Sequence, residues 1–351
     1  MAIRVIHEGD WLYPGGAERV AKEIAQALNA PITVGTTGDP SFWNDVDATL
    51  AFQDSFQTGV TKRLHSTALR SYYELRRAQK FRSIEFSEET LITTGTAAKW
   101  IVPKYNQTHI HYCHVPPPRF YGRTKQGMLS WLAATFGGMY DRYFTSFCDH
   151  IIANSQFTKQ RVQKHYNREA TVINPPIRID RFYHDEPTEQ PYFVMIGRLN
   201  KMKRADIVAK AFAGQSEAHL VMIGDGPLED LCKRQDNVSV YTDIADLGVE
   251  IALSRCNGGI AFARQEHCGM TPKEIQAAGK PVIVPDEPNL HNHVEDGKTG
   301  VIVTPNTAGV QEGIHSILQE SWNPATIQST TQSWSIEQFH ANIQEFVNNQ
   351  I

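Results

Sequence analysis

The sequence predicts an α/β protein made of two doubly wound, parallel-sheet domains, and three observations carry that expectation. Its 351 residues exceed the size at which one hydrophobic core stops growing. Short β-branched runs alternate with helix-length stretches, the pattern of parallel strands covered on both faces. A proline break, Asn174-Pro175-Pro176, separates two such series, because each proline fixes its own φ and drives its predecessor out of the helical region.

The first series opens with Ile3 to Ile6, then the Pro14-Gly15-Gly16 break, then Ala17 to Leu28 with apolar residues at helical spacing. Further strands are expected at Pro31 to Gly35, Thr90 to Thr94, His109 to Tyr112 and His150 to Asn154. The second series contains Tyr192 to Ile196, His219 to Ile223, Val238 to Tyr241, Gly259 to Phe262, Pro281 to Val284 and Gly300 to Val303. The extended segment Val172 to Arg181 reads as the linker. An N-terminal domain is therefore expected at 1–183, a second at 184–334, and at 335–351 a closing helix that can return to the N-terminal domain.

With 41% hydrophobic and 21% charged residues and a formal net charge of -4, the composition is that of an ordinary globular protein. That charge gives no electrostatic reason to expect nucleic acid, so a small molecule is the first partner to consider. The N-terminus lacks the basic start and apolar run of a signal peptide, and no run of about 18 apolar residues occurs, so a cytoplasmic protein is expected. Five cysteines, Cys113, Cys148, Cys232, Cys256 and Cys268, show no C-x-x-C spacing and read as buried thiols.

The segment from Glu266 through His267, Cys268, Gly269, Met270, Thr271, Pro272 and Lys273 to Glu274 follows a buried strand and leads into a helix. Thr271 reads as its N-cap, Pro272 suits the first turn, and Glu274 completes a capping box. Capping leaves Glu266 and Gly269 unexplained. Both sit beyond the carboxyl end of a parallel strand, where open α/β sheets bind ligands and a free helix N-terminus attracts phosphate. Carboxylates there suit sugar or ribose hydroxyls.

Arg198 and Lys203, in G-R-L-N-K-M-K-R, lie just past another strand end, where cations either neutralise a diphosphate leaving group or simply face water. Lys201 and Arg204 are close enough to share the role and rank lower. Gly15 and Gly16 let a backbone approach an anion at the first helix. They are not part of G-x-G-x-x-G, which disfavours a dehydrogenase-type dinucleotide fold. His111 and His114 lie at a strand end before Val115-Pro116-Pro117-Pro118 and fit the wall of a binding site. Asp45-Val46-Asp47 is the sole D-x-D and lies among turn formers, so metal dependence is not expected. G-x-S-x-G and P-loop motifs are absent, against a serine hydrolase or an NTPase.

Two glutamates with seven residues between them, in E-H-C-G-M-T-P-K-E-I-Q-A-A-G-K-P-V-I, resemble the E-x7-E signature of family 4 retaining glycosyltransferases of GT-B fold. The resemblance continues through Gly15-Gly16, His111 to Pro116, Ala153-Asn154-Ser155, Asn174-Pro175-Pro176, Gly197-Arg198-Leu199 with Lys203-Arg204, and Gly224-Asp225-Gly226-Pro227. It implies two Rossmann-like domains facing a central cleft. It also implies Glu266 on hydroxyls of the transferred sugar, Glu274 on the ribose, and Gly269, Met270 and Thr271 near sugar and phosphate. Arg198 and Lys203 would meet the diphosphate, Gly15 and Gly16 the donor phosphates, and His114 the donor sugar in preference to His111. Where the family usually carries an aromatic or glycine after the first glutamate, this sequence has His267 and Cys268.

The same resemblance implies a nucleotide-sugar substrate, GDP-mannose first and UDP-hexose second, no cofactor or metal, and an acceptor in surface-glycan or lipid-linked oligosaccharide assembly. A sugar-nucleotide epimerase shares the fold, but the E-x7-E setting and the G-G loop speak against it. A catalytically silent sugar-nucleotide binding module would be excluded by turnover. The basic, aromatic-bearing segment Thr61 to Arg82 and the apolar stretch Met128 to Phe147 suit either ordinary helices or peripheral contact with an anionic membrane on the way to a lipid-linked acceptor.

Overall fold

The computed structural model describes residues 2–9, 15–37, 39–51, 76–122, 127–214, 217–242, 244 and 246–351. Pro14 and residues 61–75 of the basic segment lie outside the described residues. The chain divides into two compact units, Met1–Pro176 with Phe339–Ile351, and Ile177–Gln338.

The N-terminal unit is built on seven parallel strands: β1 (Ile3–Gly9), β2 (Ile32–Thr36), β3 (Ala48–Leu50), β4 (Thr90–Thr94), β5 (Thr108–Cys113), β6 (His150–Ala153) and β7 (Thr171–Val172). Their order is β3-β2-β1-β4-β5-β6-β7. Every residue of the central strand β4 is buried, which is why it reads as a continuous run rather than an alternating one. On β5, His109 and His111 both reach the Thr93 hydroxyl of β4, at 2.9 and 3.1 Å. Burial pushes His109 down to about 4 and His111 well below its ordinary value, so both are neutral parts of the sheet. Asp45 pairs with Lys22 of the first helix, Gly16–Ala27, at 2.5 Å and ties the turn before β3 to it.

The closing helix, Ile336–Gln350, buries Phe339, Ile343 and Val347 among Val20, Ile24 and Ile32. That i, i+4, i+8 spacing is one helical face, and each such side chain contributes about 1.5–3 kcal/mol on burial. His340 adds a 2.8 Å contact to Glu23.

Helix Gly127–Thr145 is anchored from inside by Asp141, which is fully buried. Its carboxylate meets Lys99 Nζ at 2.7 Å and accepts from Trp100 Nε1 at 2.8 Å, Tyr166 OH at 2.7 Å and Tyr121 OH at 3.0 Å. The same helix exposes Met128, Trp131, Phe136, Met139 and Tyr143. Residues 76–82 are helical and lie alongside it, Arg82 stacking 5.0 Å from the Phe144 ring. Arg77 does not belong to a basic surface: it is buried, and its guanidinium donates to the Glu8 carbonyl and the Thr36 hydroxyl.

The C-terminal unit has six parallel strands: β8 (Tyr192–Ile196), β9 (His219–Ile223), β10 (Val238–Tyr241), β11 (Gly258–Ile260), β12 (Val282–Pro285) and β13 (Gly300–Val303), ordered β10-β9-β8-β11-β12-β13. Phe193, Met195, Phe212 and Phe262 lie in its main core. All five cysteines of the chain are buried and free.

Candidate active site

In the C-terminal unit the loops beyond β8, β9 and β11 converge. The Gly197-Arg198-Leu199 turn is bound to the Gly224-Asp225-Gly226 turn, with Leu199 N donating to the Asp225 carbonyl at 2.7 Å. The approach is so close that a Cβ on Gly224 would stand 2.2 Å from the Gly197 carbonyl oxygen. This holds Arg198 at the strand end, exposed and without a side-chain partner among the described residues.

Its neighbours are engaged differently. Lys203 Nζ meets Glu266 Oε2 at 2.5 Å, with the two side chains 31% and 22% exposed. Burial raises the Glu266 carboxyl, but Lys203 beside it prevails and holds it below the ordinary range, so it is ionised. Lys201 pairs with Asp206 at 2.6 Å, and buried Arg204 pairs with Glu287, which makes Arg204 part of the framework. Asn289 Nδ2 donates to the Glu266 carbonyl at 2.9 Å and fixes the loop from the far side.

The following helix is Met270–Ala277, capped by Gly269 and not by Thr271. The reason is steric: Gly269 adopts φ 78° and ψ 51°, and a side chain there would collide with His293. Thr271 and Pro272 thus lie in the first turn, and Glu274 sits too far along to close a capping box. The first-turn amides of Met270 and Thr271 have no partner within the helix. Lys203, Glu266, Thr271 and Pro272 line a small recess together with Phe262 and Leu290.

In the N-terminal unit, Gly15 caps the first helix and its amide donates to Glu18 Oε2 at 2.8 Å. A phosphate arriving there would find that amide already engaged by a carboxylate, leaving those beyond it. His114 lies just past β5, its Nε2 3.2 Å from Thr94 Oγ1, and Thr94 in turn contacts His7 at 2.9 Å. Burial pushes His114 down to about 4, so it is neutral. Glu18 is raised by burial, but its hydrogen bonds to the His7 ring and to the Gly15 amide overcome this and hold it at about 2. The sequence does not single out His7, Glu18 and Thr94 as site residues. A G-x-x-E spacing from Gly15 to Glu18 was the available signal, the reciprocal half of a capping box.

Residues 14–181 match the family described as Glycosyltransferase Family 4, and residues 176–334 match Glycosyl transferases group 1. The alpha-1,3/1,6-mannosyltransferase ALG2 of Dictyostelium discoideum is 23% identical over 297 residues, 69% of this chain and 70% of its own length. Sucrose-phosphate synthase from Thermosynechococcus elongatus superposes with a TM-score of 0.78 at 15% identity, over 100% of this chain and 99% of that one. HepE of Anabaena, solved with UDP, superposes with a TM-score of 0.74 at 15% identity, over 99% and 100% of the two chains. These structures share the fold, GT-B, with its two Rossmann-like parallel-sheet domains. Adjoining family matches running from residue 14 to residue 334 on such a pair of domains place the chain among the glycosyltransferases of group 1 type.

Proposed function

We propose that the chain is a retaining, metal-independent glycosyltransferase that moves a hexose from a nucleotide diphosphate sugar to a hydroxyl acceptor. The observation that carries this is the Lys203–Glu266 pair in the recess beside the first turn of helix Met270–Ala277. When a donor enters, the carboxylate of Glu266 takes sugar hydroxyls and Lys203 turns with exposed Arg198 to the diphosphate. The amides of Met270 and Thr271 face the phosphates at the positive end of the helix, and Glu274 holds the ribose. Attack by the acceptor on the face the diphosphate leaves then depends on positioning and on stabilising the departing charge.

GDP-mannose is the first donor on this reading, supported by the likeness to a mannosyltransferase, and UDP-hexose the second, supported by the UDP held by HepE. The acceptor belongs to surface-glycan or lipid-linked oligosaccharide assembly. The exposed apolar face of helix Gly127–Thr145, with Arg76 and Arg82 exposed on the neighbouring segment, suits peripheral contact with an anionic cytoplasmic membrane face. Among the described residues no helix is long and apolar enough to cross a membrane.

A thermal-shift screen tests the donor assignment, because a ligand that binds only the folded chain raises its melting temperature by mass action. GDP-mannose or UDP-glucose should raise it equally with and without EDTA. A shift seen only with magnesium or manganese overturns the metal-independent reading.

A further inference from the structure

Glu18, His7, Thr94 and His114 form one hydrogen-bonded line in the N-terminal unit. The sheet register assembles it: His7 of β1 is paired with Thr94 of β4, and Thr94 with Tyr112 of β5, two residues before His114. Glu18 joins from the first helix, one oxygen on the Gly15 amide at 2.8 Å and the other 3.3 Å from His7 Nε2.

With His7 in its neutral form, the donors and acceptors along this line follow from counting hydrogens. A carboxylate has none to give, so the hydrogen in the Glu18 contact sits on His7 Nε2. A neutral imidazole carries one, so His7 Nδ1 is a lone pair and receives the hydroxyl hydrogen of Thr94. Thr94 has no second hydrogen, so its oxygen accepts from His114, whose hydrogen must sit on Nε2. His114 Nδ1 is left as a lone pair, and it has no partner among the described residues.

We propose that Glu18, His7 and Thr94 are positioning residues that set the ring tautomer of His114, so that its Nδ1 stands ready to accept a hydrogen bond from a ligand hydroxyl. A ring presented in this way takes a hydroxyl and repels a phosphate oxygen, since two acceptors cannot share a hydrogen that neither carries. The same line ends on the Gly15 amide, so one network orients both the first helix terminus and the histidine.

Long-range proton–nitrogen NMR of the ligand-free protein at about pH 8.5, where an ordinary imidazole is neutral, reads the tautomer directly. His114 should show a protonated Nε2 and an unprotonated Nδ1. Thr94→Ser, which keeps the hydroxyl, should preserve that pattern, and Thr94→Val should release the ring into a mixture of both forms. A wild-type ring protonated on Nδ1 overturns the proposal, and this result needs no variant to fold. A pure Nε2-protonated ring in folded Thr94→Val overturns it equally. Whether a donor-sugar hydroxyl is the one accepted is decided separately by calorimetric titration of His114→Ala with GDP-mannose and UDP-glucose. An unchanged affinity for whichever donor the wild type binds rejects the sugar contact without altering the tautomer result. A loss of about tenfold supports it.

Discussion

The two domains share a strand order, with β10-β9-β8-β11-β12-β13 repeating the pattern of β3-β2-β1-β4-β5-β6, yet they place their polar groups differently. The C-terminal domain carries its site charges on loops beyond the strands: exposed Arg198, and Lys203 with Glu266 partly open to water. The N-terminal domain buries its polar groups, with Lys99 and Asp141 at 1% and 0% exposure and His109, His111 and Thr93 inside the sheet. Charges that keep water can exchange partners cheaply when a ligand arrives. Buried ones have no alternative partner and hold a fixed geometry. One scaffold therefore supplies both a site whose charges can rearrange and a site whose hydrogen bonds are preset.

The largest difference is expected at Asp141. Asp141→Ala leaves Lys99 buried without its counter-charge, a loss of about 3–5 kcal/mol. Urea denaturation checks this, and a stability within about 1 kcal/mol of wild type would remove the contrast between buried and open pairs.

Acid sharpens the comparison next. His109 and His114 are held at about 4 and His111 well below its ordinary value, all by burial. The unfolded chain takes up protons near 6.5 that the native N-terminal domain refuses, so its stability falls as pH drops from about 6.5 to 4. Glu18, lowered to about 2, adds a further loss as pH falls below the ordinary carboxylate value of about 4.5. In the C-terminal domain burial similarly lowers His293, to about 4, and His184. Hydrogen exchange at pH 7 and pH 4.5, followed by mass spectrometry, should show β4 and β5 opening before β11 and β12; the reverse order contradicts the assignment.

A smaller change in free energy is expected at Glu266. Glu266→Ala leaves a half-open lysine that water can solvate, so melting should hardly move. Transfer should fall at least about tenfold, roughly 1.4 kcal/mol of barrier. Near-normal transfer by the folded variant would remove the central support for the C-terminal site. The smallest effect belongs to the surface. Charge reversal at Arg76 and Arg82 should weaken sedimentation with anionic vesicles at about 1 kcal/mol per charge, with donor binding intact. Arg77 is unsuitable for this test because it is buried. Unchanged sedimentation would leave these arginines as plain surface charge.

Legibility in the sequence also differs between the domains. All six strands of the C-terminal sheet stand out in the sequence, the inner β8, β11 and β12 as buried apolar runs and the partly exposed edge strand β10 by the alternation of Val238 and Val240 with polar residues. In the N-terminal sheet β3 and β7 escape notice, being three and two residues long and partly exposed at the edges. The Thr271 cap is misplaced for a related reason: threonine is the better capping residue by preference, but the approach of His293 demands glycine at position 269.

By itself the sequence determined the alternation of strand and helix, the break after the first series, and the residue types gathered at strand ends, because periodicity and turn chemistry are local. Which polar groups meet was decided by the tertiary structure alone. Lys203 finds Glu266 across 63 residues and His7 finds Thr94 across 87. Neither separation has any periodicity to mark it, since such partners are set by strand register and loop convergence, which exist only once the sheets have formed.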